Sequence, residues 1–322
     1  MGTELSGGSE LIGGSGVTSG PDPRLELVSA VVVTHLRPRL ASATVRALLD
    51  EGFSPRRIVV VVNGAGGLDD PALERQVRML RLAANFGPAG GFRRGILEAF
   101  ADPDVRWAYL CEDDMALLGL PSPRVGDVIE RVGERAAAGG PPVGAVVPFG
   151  REFVARSGHA RVVVPRRGHP GELASVDVST WGATLLHRAV VESGVLPDDE
   201  LFFGFEDFDF FCRVRAAGFA VLVDVVSARH VAHLQTSAAR DASLRRHRPI
   251  DAEEPWRAYY FARNFFALAR RHGRRRWLAW HLLYSVRRLQ LASSRAERLA
   301  VVHGLVDGAR GRLGVHPRHL RR

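Results

Sequence analysis

The sequence predicts an α/β protein in which a mostly parallel sheet is flanked by helices and followed by a helical C-terminal extension. Three observations carry this. The runs 27–34 and 58–62 are short, continuously apolar and β-branched, as strands buried on both faces are. Segments of helical length separate such runs and give repeated β-α-β order. Past residue 150 the alternation ends, and from residue 240 the chain becomes arginine-rich.

In chain order, residues 1 to 20 hold seven Gly and four Ser and read as a flexible leader, taken as 1–24 and excluded from the fold. Leu27 to Thr34 is the first strand, 40–51 a helix and Gly52 to Arg57 a turn. Ile58 to Val62 is the second strand, ending at Asn63-Gly64. A helix near 71–79, a short strand at 79–83 and the glycine-rich Asn85 to Gly91 lead to a helix at 92–101. Strand Trp107 to Cys111 runs into Glu112-Asp113-Asp114, and a helix around 123–138, a Gly-Gly-Pro-Pro turn and a strand at 143–148 complete the regular part. Residues 150–180 read as irregular β structure, Trp181 to His187 as a strand, and Phe203 to Ala217 as a loop entering a helix. A strand at 219–226 leads to His230 and His233, and helices fill 255–272 and 277–292. This divides the chain into a main domain at 25–240, with halves at about 25–150 and 151–240, and a basic helical extension at 241–322.

With 322 residues, 46% of them hydrophobic, the chain is long enough for one large α/β domain or two modest ones, which excludes a disulfide mini-protein or a disordered tail. All 44 basic residues are arginine, against 35 acidic ones, for a net charge of +9. Residues 240–322 hold 20 Arg and 6 acids, net +14, whereas 1–239 are net −5. Such a basic quarter is attracted to phosphate in nucleic acid, lipid headgroups or a lipid-linked diphosphate. No nucleic-acid-binding motif accompanies the charge, so nucleic acid is not the expected partner. Cys111 and Cys212 are too few and too far apart in sequence for a disulfide framework or thiolate cluster. No stretch approaches the roughly 18 apolar residues of a membrane span, and the expected location is cytoplasmic.

Open α/β sheets bind ligands in the crevice at the carboxyl ends of their strands, so Thr34 to Arg37, Asn63 to Gly67 and Glu112 to Asp114 should converge. Three adjacent carboxylates repel unless neutralised, and a hard divalent cation would neutralise them and bridge to phosphate. Glu112 and Asp114 are expected to share one side of the strand; the plainer reading is a solvated turn or a helix cap. Asn85 to Gly95 could turn backbone N–H groups and arginines, Arg94 among them, toward an anion, or be a simple turn. Its spacing, like that of Gly64 to Gly67, misses the Walker and dinucleotide patterns. Phe202 to Phe210 sets Glu206, Asp207 and Asp209 among five phenylalanines, a setting that raises a carboxylate's pKa and suits a base.

Taken in order, these residues resemble the family-2 inverting glycosyltransferases, and within them the bacterial rhamnosyltransferase-like and galactofuranosyltransferase-like group. The resemblance spans roughly residues 27 to 315. It rests on Thr34-His35-Leu36-Arg37, Asn63-Gly64, Asn85-x-Gly87-x-Ala89-Gly90-Gly91, the acidic triplet, Trp181-Gly182, Glu206-Asp207-x-Asp209 and Tyr259-Tyr260-x-x-Arg263-Asn264. It implies a GT-A-like, Rossmann-type sheet and transfer from a nucleotide-diphosphate sugar to a hydroxyl of a glycan or lipid-linked acceptor. Thr34, Arg37, Asn63, Asn85, Gly90, Gly91, Arg94 and Asp113 would then bind the nucleotide sugar. Asp114 would bind Mn²⁺ or Mg²⁺, joined by Glu112, which stands where the family has Asp, and by His230, with His233 as substitute. Asp207 would be the base, with Glu206, Asp209, Trp181 and Gly182 on the acceptor side.

UDP-galactofuranose and dTDP-rhamnose fit the resemblance about equally, with a lean to rhamnose from Gly304 to Arg312. Arginines and tryptophans at 270–291 suit peripheral docking on an anionic membrane at its inner face, although the same residues could simply pack a helical subdomain. Two rival readings remain at this point. A sugar nucleotidyltransferase usually has Gly and Lys after the first strand, and Thr34 to Arg39 has neither. A non-catalytic membrane-docked glycan-binding scaffold is kept open by Glu112.

Overall fold

The computed structural model describes residues 22–118, 124–154, 156–158, 160–163, 172–229, 254–273 and 275–320. The regular part consists of β1 (Val28–Thr34), α1 (Pro38–Glu51), β2 (Ile58–Asn63), α2 (Pro71–Gln76), β3 (Arg78–Leu82), α3 (Gly87–Ala99), β4 (Trp107–Glu112), α4 (Val125–Ala137) and β5 (Val143–Val147). There follow the paired strands β6 (Gly150–Phe153) and β7 (Ala160–Val163), then β8 (Leu173–Ser175), β9 (Thr184–His187), α5 (Arg188–Glu192), α6 (Glu206–Ala216) and β10 (Ala220–Asp224). The C-terminal helices are α7 (Pro255–Arg271), α8 (Arg275–Leu291) and α9 (Arg295–Arg310). Among the described residues, no helix is long and apolar enough to cross a membrane.

The eight-stranded sheet has the order β3-β2-β1-β4-β9-β5-β10-β8. Strands β3, β2, β1 and β4 pair parallel, as do β5 and β10, while β9 lies antiparallel between β4 and β5 and β8 closes the far edge antiparallel. The mostly parallel α/β architecture is thus as expected. Its cause is visible in β2, buried at every position: Val59 and Val61 face α3 through Phe92 and Ile96, and Ile58 and Val60 face α1 through Val45 and Leu48. Helix α3 lies close to the sheet because Gly95 has no side chain; a Cβ there would stand 2.3 Å from Val31 Cγ1.

Four local expectations are corrected. The glycine-rich segment does not precede α3 but forms its first turns, since helix α3 begins at Gly87. Glu112 is the last residue of β4 and Asp113-Asp114 turn away, so Glu112 and Asp114 do not share a strand face. Trp181 precedes its strand, which begins only at Thr184. The C-terminal region holds a third helix, α9, where the serine pair before it is a cap: the Ser294 side chain accepts from Glu297 N. Gly304 to Arg310 belongs to that helix, where Gly304 lets the Tyr259 carbonyl of α7 approach; a Cβ would be 2.3 Å from it.

Candidate active site

At the carboxyl ends of β1, β2 and β4 lies a cavity of about 340 Å³, lined on one side by Thr34, His35, Arg37, Asn63, Asn85, Gly87, Glu112 and Asp113 and on the other by Phe202, Phe203, Trp256 and Arg257. The three polar loops therefore converge as the sheet topology required. The first of them is strained: Leu36 has φ 58°, unusual for a branched residue, and is exposed. Asn63 is committed to the wall. Its Nδ2 donates to the Gly87 carbonyl (2.8 Å) and its Oδ1 accepts from Phe86 N (2.9 Å), tying the end of β2 to the start of α3.

Arg37 is the counter-charge of the acidic turn. Its guanidinium bonds Asp114 Oδ2 at 3.1 Å and lies 2.9 Å from Asp113 Oδ1, an ion pair without hydrogen-bond geometry. Asp113 is buried, accepts from Thr34 Oγ1 at 2.9 Å, and has its carbonyl bonded by Thr44 Oγ1. Burial pushes its carboxyl up, against the opposing pull of Arg37 and Thr34. Glu112 has less relief, from the charge of Arg37 alone. Burial, followed by repulsion from Asp114, Asp207 and Asp113, pushes it up to about 7.

Asp207 stands in the first turn of α6, whose N-cap Phe205 is left-handed at φ 66°, and its Oδ1 accepts from Phe208 N at 2.8 Å. Glu206 beside it is buried, with Oε1 accepting from Trp181 Nε1 at 3.4 Å and Oε2 without a hydrogen-bond partner. Burial pushes both carboxyls above their ordinary range, and for Glu206 the Asp207 charge adds to it. Asp207 and Glu112 are near enough to feel each other, so the two acidic motifs, 95 positions apart in sequence, share one electrostatic site.

Several expected site residues act elsewhere. Gly90 and Gly91 do not line the cavity but pack α3; a Cβ on Gly91 would be 2.6 Å from Val33 Cγ1. Arg94 also lies outside its lining, over the Phe86 ring at 3.9 Å and bonded to Asp199 at 3.2 Å. Trp181 is a core residue rather than an open face, stacked on Phe92 at 4.9 Å and against Phe210 at 5.2 Å. Gly182 does adjoin the acids, where a Cβ would stand 3.3 Å from Glu112 Oε2. Asp209 is fully buried, pairs within α6 with Arg213 (2.8 Å), and joins α6 to the end of α7 through Arg271 (3.3 Å) and His272 (3.2 Å). Burial raises its carboxyl, but those three partners outweigh this and hold it low, unlike Asp207.

The sequence reading missed Trp256 and Arg257 as cavity residues. Arg257 lies over the rings of Phe203 (5.5 Å) and Trp256 (5.4 Å), closing the wall opposite the loops that follow β1 and β2. Their position three and two residues before Tyr259 was the available signal. His230 and His233 lie outside the described residues. Among the described residues, no three His, Cys, Asp or Glu side chains are gathered to hold a metal ion. The chemistry of Glu112 and Asp114 nevertheless fits a hard cation: both are oxygen donors, the charge of Asp114 acts on Glu112, and Asp114 is paired with Arg37.

No family model matches the chain. Curated relatives include galactofuranosyltransferase GlfT1 of Mycolicibacterium smegmatis, 34% identical over 96 residues, which are 28% of this chain and 30% of that one. GlfT1 of Mycobacterium tuberculosis is 36% identical over 95 residues, covering 28% and 31%. The chain thus aligns with less than a third of the length of these relatives. Among solved structures, Staphylococcus aureus TarS 1-349 is similar with TM-score 0.39 and 12% identity over 88% of this chain and 91% of that one. The mannosyltransferase PcManGT from Pyrobaculum calidifontis, solved with GDP-Man and Mn²⁺, gives TM-score 0.40 and 14% identity over 91% and 88%. The resemblance carried by the motifs is therefore also found by direct comparison: over part of its length the chain is similar to galactofuranosyltransferases, and its sheet is mostly parallel and flanked by helices.

Proposed function

We propose that the protein is an inverting glycosyltransferase that moves a sugar from a nucleotide-diphosphate donor to a hydroxyl of a glycan or lipid-linked acceptor. The observation that carries this reading is the cavity at the carboxyl edge of the sheet, lined by Arg37, Glu112 and Asp113, with Asp114 and Asp207 near enough for their charge to act on Glu112. A galactofuranose donor is favoured over rhamnose by the names of the curated relatives. The nucleotide enters between the Thr34 to Arg37 loop and the Asn63-bound start of α3, where Asn85 and Gly87 face the cavity. Asp207 takes the proton of the acceptor hydroxyl as it attacks the anomeric carbon, and its raised pKa matches it to a proton transfer near neutral pH. Arg37 supplies positive charge on the donor side.

Glu112 and Asp114, with His230 as a further ligand, would hold a divalent cation of the Mn²⁺ or Mg²⁺ kind. When bound, such an ion stabilises charge on a departing diphosphate. Without it the charges of Asp114 and Asp207 both oppose that of Glu112, and Arg37 offsets this only in part.

A panel of UDP, dTDP, GDP and ADP, each with and without Mn²⁺, tests the donor site by thermal shift. One pyrimidine diphosphate at a hundred times its Kd should add about 2.7 kcal/mol to stability, and more with the metal present. No shift with any nucleotide under any metal condition would return the non-catalytic scaffold to first place.

For the acceptor side, we propose that α8 rests on an anionic membrane, placing the enzyme at its inner face. Leu282, Leu283, Tyr284, Val286 and Leu291 are each about half exposed on this helix, among exposed Arg275, Arg276 and Arg287. Apolar residues ringed by arginine suit the headgroup boundary. Cosedimentation with phosphatidylglycerol vesicles should be strong at low salt and fall at least fivefold when Leu283 and Val286 are both changed to Asp; equal retention on neutral phosphatidylcholine vesicles would count against this surface.

A further inference from the structure

The loop 200–205, which leads into Asp207, has a backbone that does not hold itself. Phe202 has φ 60° and ψ −65°, and Phe203 N bonds back to the Leu201 carbonyl at 2.7 Å, the three-residue turn of the rare positive-φ kind. Gly204 (φ 80°) and Phe205 (φ 66°) follow in left-handed conformations. Two of these three residues are phenylalanines, for which positive φ is sterically unfavourable. Strain of this sort persists only where the surroundings over-determine it.

The surroundings here are two adjacent side chains of α7. Asn264 Nδ2 donates to three carbonyls of the loop, those of Leu201 (2.6 Å), Phe203 (2.8 Å) and Gly204 (2.8 Å). Arg263 Nη2 donates to the carbonyls of Glu200 (3.3 Å) and Leu201 (3.0 Å), its Nη1 to that of Gly314, and its Nε holds Asn264 Oδ1 at 2.7 Å. That last bond orients the amide so that its nitrogen, not its oxygen, faces the loop. Both side chains are almost wholly buried, 1% and 0% exposed, and Arg263 is packed over the rings of Tyr260 (4.7 Å) and Tyr259 (5.4 Å). The C-terminal segment completes the clamp, with Gly314 N on the Glu200 carbonyl and His316 N on the Tyr260 hydroxyl.

We infer that Arg263 and Asn264 are positioning residues which hold the 200–205 loop in its strained form and so set where Asp207 stands relative to the nucleotide loops. This rests on the transferase reading above. The clamp acts through the loop alone: neither side chain lines the cavity, whereas Phe202 and Phe203 do. The same loop touches the donor side, since the Phe202 carbonyl packs on Gly87 at the start of α3. Helix α7 thereby couples the acceptor wall, including its own Trp256 and Arg257, to the residue that takes the proton.

Asn264→Asp tests this in the full chain, because it keeps the shape while replacing the donor with an acceptor. UDP release from UDP-galactofuranose and dTDP release from dTDP-rhamnose, over a crude glycolipid extract, should show kcat lowered about 100-fold, as expected for a small misplacement of a reacting group. The Kd for UDP or dTDP with Mn²⁺ should stay within about threefold, because Arg37 and Asn63 are held by bonds outside the 200–205 loop, and amide exchange should accelerate at 201–207 more than elsewhere. Arg263→Lys should give the same split more weakly. The inference is overturned if kcat stays within about threefold of wild type, or if kcat and nucleotide affinity fall together without selective exchange at the loop. It is also overturned if neither variant folds, for the pair would then serve the fold alone. Failure of the transferase reading looks different: the wild type itself would release no nucleotide, while the exchange comparison would still report whether α7 clamps the loop.

Discussion

Asp207→Asn is expected to lower sugar transfer by about 10³-fold while leaving nucleotide-diphosphate affinity within about threefold. The substitution keeps size and the bond from Phe208 N, and removes only the ability to take a proton. It also relieves Glu112 of one of its repelling neighbours, so nucleotide binding has no reason to weaken. The wild-type pH dependence follows from the same environment. Burial raises the carboxyl, the base works only when ionised, and kcat/KM should therefore fall as pH drops through the raised value and level off above it. Steady-state kinetics on the variant and a pH profile of the wild type check both statements. An Asp207→Asn variant retaining a tenth or more of wild-type turnover would remove Asp207 from the mechanism.

Gly87→Ala is expected to cost roughly 2–4 kcal/mol of stability and to depress transfer as well. Gly87 has φ 71°, where any Cβ is strained, and a Cβ would stand 2.0 Å from the Phe202 carbonyl oxygen and 2.7 Å from its carbon. That neighbour is backbone inside the clamped turn and cannot rotate away. Either α3 lifts, breaking the Asn63 to Gly87 bond, or the 200–205 loop shifts and carries Asp207 with it. Urea unfolding measures the first consequence and kcat the second. Wild-type values for both would mean that the two loops are not in contact in solution. Gly139→Ala, at φ 77° with nothing near its Cβ, is the control for backbone strain without a clash.

The fold class was legible because its signals are local. Continuous β-branched runs such as 58–62 can be satisfied only by burial on both faces, and the helices between them force a parallel crossover. That topology in turn fixes where Thr34, Asn63 and Glu112 must lie, since strand ends of a parallel sheet point to one edge. The concentration of acids at 112–114 and 206–209 was equally visible in the sequence. The third C-terminal helix was not expected, although Ser294-x-x-Glu297 marks its beginning with side chains at both positions bonding the first turn.

What each polar residue does was decided by partners distant along the chain. Asp207 and Asp209 sit two residues apart on one helix, yet Arg213 and, from the end of α7, Arg271 and His272 bond the second, while the first accepts from Phe208 N. Trp181 reads as an acceptor-side residue until Phe92 and Phe210 close over it. Asn63 reads as a nucleotide contact until both ends of its amide are taken by the loop before α3. Arg263 and Asn264 were recognisable as a motif without a task, because the carbonyls they hold lie about sixty residues earlier. By itself the sequence determined the sheet, its ligand edge and the acidic character of that edge, since periodicity and composition act over neighbouring residues. Only the tertiary structure decided which acids stay unpaired at the cavity and what holds their loop, because burial and hydrogen bonding depend on contacts that no local pattern records.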